Sequence, residues 1–157
     1  MTLQPSLDMV DYALPGSVVA AFQRSHASQL RLDPTVARLR AAIESAGLWV
    51  LHEIDPQALL RRGGYAIHPA RQVLFFHPRY LAGMLAADPT SLLEAPLKIA
   101  VIESSDGGVA LRWADPVLAF SRYRNAALAS LGQELAMTCE MIVAAAAGES
   151  DPANVQP

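Results

Sequence analysis

Two stretches of the chain repeat hydrophobic residues every three or four positions, which is the spacing of one face of an α-helix. The first follows Asp33-Pro34, an expected cap and first helical residue, and ends before Gly47, which can adopt positive φ. The stripe residues are Val36, Leu39, Ile43 and Ala46 in the first stretch and Leu128, Leu131, Leu135, Thr138 and Ile142 in the second. We predict long helices over residues 33–46 and 125–147.

Five shorter stretches are apolar, with β-branched and aromatic residues among them, and these predict strands. They are residues 18–25, 48–54, 71–76, 97–104 and 109–113. Asp106-Gly107-Gly108 separates the last two and is typical of a hairpin turn. In the second stretch, alternation predicts one face made of Leu48, Val50, His52 and Ile54 and another made of Trp49, Leu51 and Glu53.

Short helical segments are predicted where proline follows a capping residue. The pairs Asp55-Pro56 and Asp115-Pro116 have this signature, Asp88-Pro89 begins a turn or helical turn, and Pro78 opens a further helix. We predict short helices over residues 57–62 and 79–87 and one more helical start at residue 115.

This order of elements predicts an α+β fold, in which a largely antiparallel sheet of four or five strands carries the two long helices on one face. The other face keeps apolar residues such as Trp49 and Leu51, and one layer of helices leaves it open to water. We expect a homodimer contact or a small apolar ligand to cover it.

The termini differ from the middle of the chain. Residues 1–16 are polar with two prolines and lack the basic and apolar regions of a signal peptide. We predict a flexible arm over residues 1–16, one domain over residues 17–147 and a disordered tail over residues 148–157. A cytoplasmic protein is expected.

Composition excludes several classes of protein. Hydrophobic residues make up 52% of the chain, which is too many for a disordered protein. No apolar run reaches the roughly 18 residues of a membrane span. The net charge of −3 argues against a general nucleic-acid binder, and a single cysteine cannot form an internal disulfide.

Four stretches together resemble a known family. They are TVARLRAAIESAGLWVLHEID (35–55), RQVLFFHPRYLAGMLAADP (71–89), APLKIAVIESSDGGVALRWADP (95–116) and the helix from Leu128 to Ala144. They are similar to the DUF302 family, a domain of unknown function. The resemblance implies a β-α-β4-α fold, in agreement with the order above, and brings no established catalytic residues. The chain departs from the family at Phe76-His77-Pro78, where a Gly-Asn-Pro type turn is common.

Histidines are the main candidates for chemistry. His52 lies in the middle of a predicted strand, and either a partly buried imidazole or a ligand group in a pocket explains it. His77 lies where a strand leads into the helix at Pro78, near free N–H groups that favour anions. The alternative, which we favour, is that His77 is a structural residue of the turn.

The stretch Met137-Thr138-Cys139-Glu140-Met141 evokes soft-ligand binding of copper or haem iron. Met137 and Met141 share a helix face, but Cys139 points about 200° away from Met137, so the three cannot bind one ion. Two hypotheses stay open. One is packing of soft side chains, and the other is haem or copper held by His52 or His77 with Met137 or Met141.

No activated nucleophile or phosphate-binding loop is evident in the sequence. We expect Phe120 and Tyr123 to line a groove between the last helix and the sheet, and these two with His52 and His77 are the predicted ligand-binding residues. The favoured hypothesis is a non-enzymatic, homodimeric module that binds a small apolar or mixed ligand. The alternatives are a haem or soft-metal protein and an enzyme with a histidine general base.

Overall fold

The computed structural model of the chain describes residues 5–14 and 20–149. The strands are β1 (Asp8–Met9), β2 (Gln23–Ser28), β3 (Trp49–Ile54), β4 (Tyr65–Ala66), β5 (Ala70–Phe76), β6 (Leu97–Glu103) and β7 (Val109–Ala114). The helices are α1 (Leu32–Ser45), α2 (Pro56–Arg62), α3 (Pro78–Ala87), α4 (Pro116–Ser121) and α5 (Ala126–Ala146), and a 3₁₀ helix spans Pro89–Glu94.

Five strands form one sheet in the order β2-β7-β6-β5-β3, and every neighbouring pair is antiparallel. β1 and β4 form a separate, two-residue parallel pair. The two long helices, α1 and α5, pack on each other and over the sheet. The predicted α+β fold with a mostly antiparallel sheet is confirmed.

The main core lies between the sheet and the helix pair. Its fully buried members include Leu39 and Ile43 of α1, Ile142 and Val143 of α5, and Val73, Phe75, Ile99, Val101 and Leu111 of the sheet. Burying one such side chain stabilises the fold by about 1.5–3 kcal/mol. A second cluster, of Phe76, Met84, Phe120, Leu128 and Leu135, forms where α3 and α4 meet the first half of α5.

The predicted caps explain where most helices begin. The side chains of Asp55, Asp88 and Asp115 accept hydrogen bonds from backbone N–H groups at the starts of α2, the 3₁₀ helix and α4. Asn125 does the same for α5. The predicted cap of α1 was wrong, because Arg31 is the capping position and Asp33 lies inside the first turn, where its charge favours the helix dipole.

The first predicted strand was placed too early in the chain. β2 begins at Gln23 and ends at Ser28, whereas residues 18 and 19 of the predicted strand lie outside the described residues. Pairing with β7 determines this position, since Gln23 faces Ala114 and Ser28 faces Val109. Tertiary pairing therefore determines where this largely polar strand lies.

A β-bulge at Leu51 corrects the predicted faces of β3. Val50 pairs with Phe75, but His52 pairs with Leu74, so Leu51 is the extra residue. The bulge moves His52 to the side opposite Val50, and it brings Glu53 to the helix side. There Arg40 of α1 donates a 3.2 Å hydrogen bond to the Glu53 carboxylate.

The apolar stripe of α5 is rotated slightly from the predicted one. Leu128, Leu135 and Ile142 are buried as expected. Gly132 and Cys139 are also buried, whereas Leu131 and Thr138 of the predicted stripe are only half-buried. Small side chains therefore complete the stripe that faces α4 and the sheet.

Residues 8–12, which belong to the predicted arm, contact β4 and its flanking residues. The N–H groups of Asp8 and Val10 donate to the carbonyls of Gly64 and Ala66, each at 2.9 Å, and the Tyr12 hydroxyl donates to the carbonyl of His68 at 3.1 Å. Most of the predicted tail, residues 150–157, lies outside the described residues.

Close packing of α4 on α5 predicts that Gly132→Ala is destabilising. A Cβ atom there would lie 2.8 Å from the Pro116 carbonyl oxygen and 3.0 Å from the Phe120 Cβ. We expect a loss of about 1–3 kcal/mol in the free energy of unfolding, measured by urea denaturation. The matched control is Gly83→Ala on α3, where nothing lies within 4 Å and helix propensity predicts a gain of about 1 kcal/mol. A Gly132→Ala variant as stable as Gly83→Ala would contradict the helix packing.

Candidate functional site

The sheet turns one face toward α1 and α5 and the other away from them. Alternation along the strands places Val73 and Phe75 on the helix side. We call the opposite side the open face, and it carries Trp49, His52, Gln72, Leu74, Lys98, Ala100, Ile102, Arg112 and Ala114. Trp49 exposes 55% of its surface, and Leu51 beside it exposes 51%. These are large apolar areas to leave in water.

An apolar pocket opens beside Trp49. This Trp49 pocket has a volume of about 270 Å³, and its walls come from β3, the junction of β5 with α3, and the end of the 3₁₀ helix. It is lined by Trp49, Leu51, Phe76, His77, Pro78, Leu81, Leu92, Ala95 and Pro96. His77 supplies the only ionisable side chain in this lining.

The 3₁₀ helix presents two leucines beside the pocket. Asp88 anchors the start of this helix by accepting from the hydroxyl and N–H of Thr90, at 2.6 and 2.9 Å, and these bonds lower the pKa of the Asp88 carboxyl. The buried Ser91 hydroxyl donates to the Met84 carbonyl of α3 at 3.3 Å. Because the 3₁₀ helix is short and fixed at Asp88 and Ser91, it cannot bury both of the leucines that follow Ser91. Leu92 remains 50% exposed and Leu93 86% exposed.

His77 has two structural contacts. Its Nδ1 accepts a 3.1 Å hydrogen bond from the N–H of Arg79, so the imidazole caps α3. Its ring packs edge-on against the ring of Trp49, with centroids 5.1 Å apart. Since Nδ1 is the acceptor, the ring proton belongs on Nε2, and His77 offers a donor to its surroundings.

A larger cleft adjoins the Trp49 pocket at Pro96. This Lys98 cleft has a volume of about 620 Å³ and runs over β6 and β7 toward α4 and α5. It is lined by Leu14, Phe22, Gln23, Phe75, Leu93, Glu94, Pro96, Leu97, Lys98, Ala100, Ile102, Arg112, Trp113, Ala114, Pro116, Ala119 and Cys139. Its lining combines apolar walls with charged side chains.

The charged groups of the cleft differ in their partners. The Glu94 carboxylate accepts from Arg122 at 2.8 Å and from the Tyr123 hydroxyl at 2.9 Å. Arg112 donates to the side-chain oxygen of Gln23 at 3.3 Å. Lys98 is exposed and forms no ion pair or hydrogen bond through its side chain with any residue that the structure describes. Glu94, the acidic side chain of the cleft, is therefore already paired, whereas Lys98 is not paired with any described residue.

Cys139 lies at the inner end of the cleft and is only 2% exposed. Burial raises the pKa of its thiol to about 12, with the carboxylates of Glu140 and Asp115 adding to the effect. The thiol is therefore protonated at neutral pH. It behaves as a small apolar side chain and is unsuited to act as a nucleophile.

The structure does not bring the predicted metal ligands together. His52 is exposed on the open face, so the sheet lies between it and α5. Met137 and Met141 are 71% and 66% exposed on α5, and each lines a different shallow groove away from both histidines. Within residues 5–14 and 20–149 there is no group of three or more His, Cys, Asp or Glu side chains able to hold a metal ion.

The predicted groove residues lie near the Lys98 cleft but do not line it. Phe120 is fully buried in the second core cluster. The Tyr123 hydroxyl donates to Glu94, and the pKa of Tyr123 is raised by loss of hydration and then by this bond. Pro116 and Ala119 of the same segment line the cleft instead.

Residues that sequence reasoning did not single out include Leu92, Phe22, Lys98 and Arg112. Adjacent leucines in the six-residue 3₁₀ helix were one available signal, since a short helix cannot bury both. The chain's single lysine was another. Lys98 and Arg112 are neighbours only because of the register between β6 and β7. The sequence around either residue does not reveal that register.

The family model described as a domain of unknown function, DUF302, matches residues 24–146. The chain belongs to the DUF302 family. The match begins in β2 and ends with α5, so it includes the whole Trp49 pocket and all of the Lys98 cleft except Leu14, Phe22 and Gln23.

The solved structure of an uncharacterized conserved DUF302 protein from Bacillus stearothermophilus is similar to this chain. The TM-score is 0.73 at 17% sequence identity, and the match covers 79% of this chain and 97% of that one. At this identity the likeness establishes the DUF302 fold alone. No curated protein matches the chain. Among the helices in the described ranges, none has the length and apolar character to cross a membrane.

Burial of Cys139 predicts a protected thiol. At pH 8 we expect 5,5′-dithiobis(2-nitrobenzoate) to react with the folded protein on the order of 10³-fold more slowly than with an unperturbed cysteine, because the thiolate is scarce. The same protein in guanidinium chloride is the control and should release one equivalent of thionitrobenzoate per chain. Rapid reaction of the native protein would show that the inner end of the cleft is open.

Proposed function

We propose that this DUF302 domain is a non-enzymatic binding module that holds a small apolar ligand, or the apolar part of a larger one, in the Trp49 pocket. The observation that supports it most is the lining of that pocket. Trp49, Leu51 and Leu92 each expose half of their surface around one cavity, and a ligand that covers them removes apolar area from water.

The wall of the Trp49 pocket is almost entirely apolar. His77 lines it with its ring, which packs against Trp49, while its Nδ1 accepts from the Arg79 N–H and so holds the ring in place. A ligand that presents an apolar body to this wall fits the pattern, and any polar group that it carries would remain in water at the mouth of the pocket. The proposed ligand is thus apolar in the part that enters the pocket.

Binding is better supported than catalysis. His77 uses one ring nitrogen to cap a helix, and the raised pKa of Cys139 keeps that thiol protonated. The haem or copper hypothesis has weaker support, because Met137 and Met141 lie apart from His52 and His77.

A second copy of the chain is the alternative cover for this surface. β3 is an edge strand, and its exposed Trp49 and Leu51 would become buried in a symmetric contact. Native mass spectrometry of the purified protein distinguishes the two, because it reports both the number of chains and any retained small molecule.

The proposal predicts that 2-naphthol, an apolar ring system with one oxygen, binds beside Trp49. Titration followed by tryptophan fluorescence should show saturable binding to the wild type. Leu51→Ser and Leu92→Ser should each weaken binding about five- to tenfold, because each removes apolar contact worth about 1–1.5 kcal/mol.

Leu59→Ser is the matched control for these variants. Leu59 is 54% exposed on α2 and lines neither cavity, so its loss should leave the affinity unchanged. Absence of saturable binding to the wild type, or equal affinities for all three variants, would reject the Trp49 pocket as the binding site.

A further inference from the structure

We propose that the Lys98 cleft is a second binding site, and that its ligand is a single-chain amphiphile with a carboxylate head. The head would lie at Lys98 and Arg112, and the tail would lie on the same side of the sheet, along Phe22 and Leu93. This site is separate from the Trp49 pocket and does not depend on the function proposed for it.

The two cations belong to neighbouring strands and face the same side. Ala100 of β6 pairs with Arg112 of β7, and Lys98 precedes Ala100 by two residues, so Lys98 and Arg112 are diagonal neighbours on the open face. Diagonal pairs of this kind lie about 7–8 Å apart at the backbone, which long side chains span easily. A lysine ammonium and an arginine fork can therefore converge on one carboxylate.

The ammonium of Lys98 is not paired by the acid of the cleft. Glu94 is the acidic side chain of the lining, and Arg122 and Tyr123 already bind its carboxylate. Lys98 forms no ion pair with any residue in the described ranges. This ammonium favours an anion at the site, although the whole chain has a net charge of −3.

The remaining lining is suited to an apolar tail. Phe22 and Leu93 are 57% and 86% exposed at the rim, and Ala100 and Ile102 belong to the lining on the open face. A free volume of about 620 Å³ lies within the range of roughly 300–1,000 Å³ that is typical of small-molecule sites.

Isothermal titration with dodecanoate below its micellar concentration tests the proposal. Binding should tighten about fourfold for each methylene from octanoate to dodecanoate, because each buried methylene contributes about 0.8 kcal/mol. Dodecanol and dodecyltrimethylammonium, which have the same tail but no negative charge, should bind at least tenfold more weakly.

Variants of Lys98 test the head position. Lys98→Gln should weaken dodecanoate binding about tenfold, and Lys98→Arg should restore it to within about threefold. Arg62→Gln is the matched control, since Arg62 is an exposed cation on α2 that lines neither cavity. Its affinity for dodecanoate should equal that of the wild type.

Three results would overturn the proposal. They are equal binding of dodecanol and dodecanoate, an unchanged affinity in Lys98→Gln, and an equal loss of 2-naphthol and dodecanoate binding in that variant. The last would indicate a general structural effect. Because 2-naphthol reports on the Trp49 pocket and dodecanoate on the Lys98 cleft, each proposal can fail without the other.

Discussion

The packing of α1 and α5 against one face of the sheet is the interaction on which the rest of the structure depends. Leu39, Ile43, Ile142 and Val143 close that face over Val73 and Phe75, and this core excludes water. A single helix layer leaves the open face without a comparable cover. Much of the open face consists of small and charged residues, such as Ala100, Lys98 and Arg112, which can be exposed to water at little cost. The area around Trp49, in contrast, is apolar.

Two local features turn that uncovered area into a cavity. The bulge at Leu51 breaks the alternation of β3, so that His52 joins Trp49 on the side away from the helices while Glu53 meets Arg40. The 3₁₀ helix, anchored through Asp88 and Ser91, adds Leu92 and Leu93 at the end of the sheet. The Trp49 pocket and the Lys98 cleft lie on either side of Pro96, which lines both.

The sequence correctly predicted features that depend on interactions between residues close together in the chain. Asp55, Asp88 and Asp115 cap helices as expected, Gly47 adopts a φ of 76° after α1, and Asp106-Gly107-Gly108 joins β6 to β7. Features that depend on a distant partner were missed. The polar β2 is defined by pairing with β7, the bulge by pairing with β5, and the approach of Lys98 to Arg112 by strand register. Met137 and Met141 of α5 suggested soft-ligand binding, but the packed structure shows that both are exposed and line grooves that contain no histidine.

Acrylamide quenching of the two tryptophans distinguishes a covered sheet face from an uncovered one. Trp113 is 5% exposed on the helix side, whereas Trp49 is 55% exposed on the open face. In ligand-free protein, Trp49→Phe should leave a blue-shifted emission that acrylamide hardly quenches, and Trp113→Phe should leave a red-shifted emission that is quenched several-fold more strongly. Equal quenching of the two variants, with folding verified by circular dichroism, would contradict the one-sided helix layer and the site derived from it.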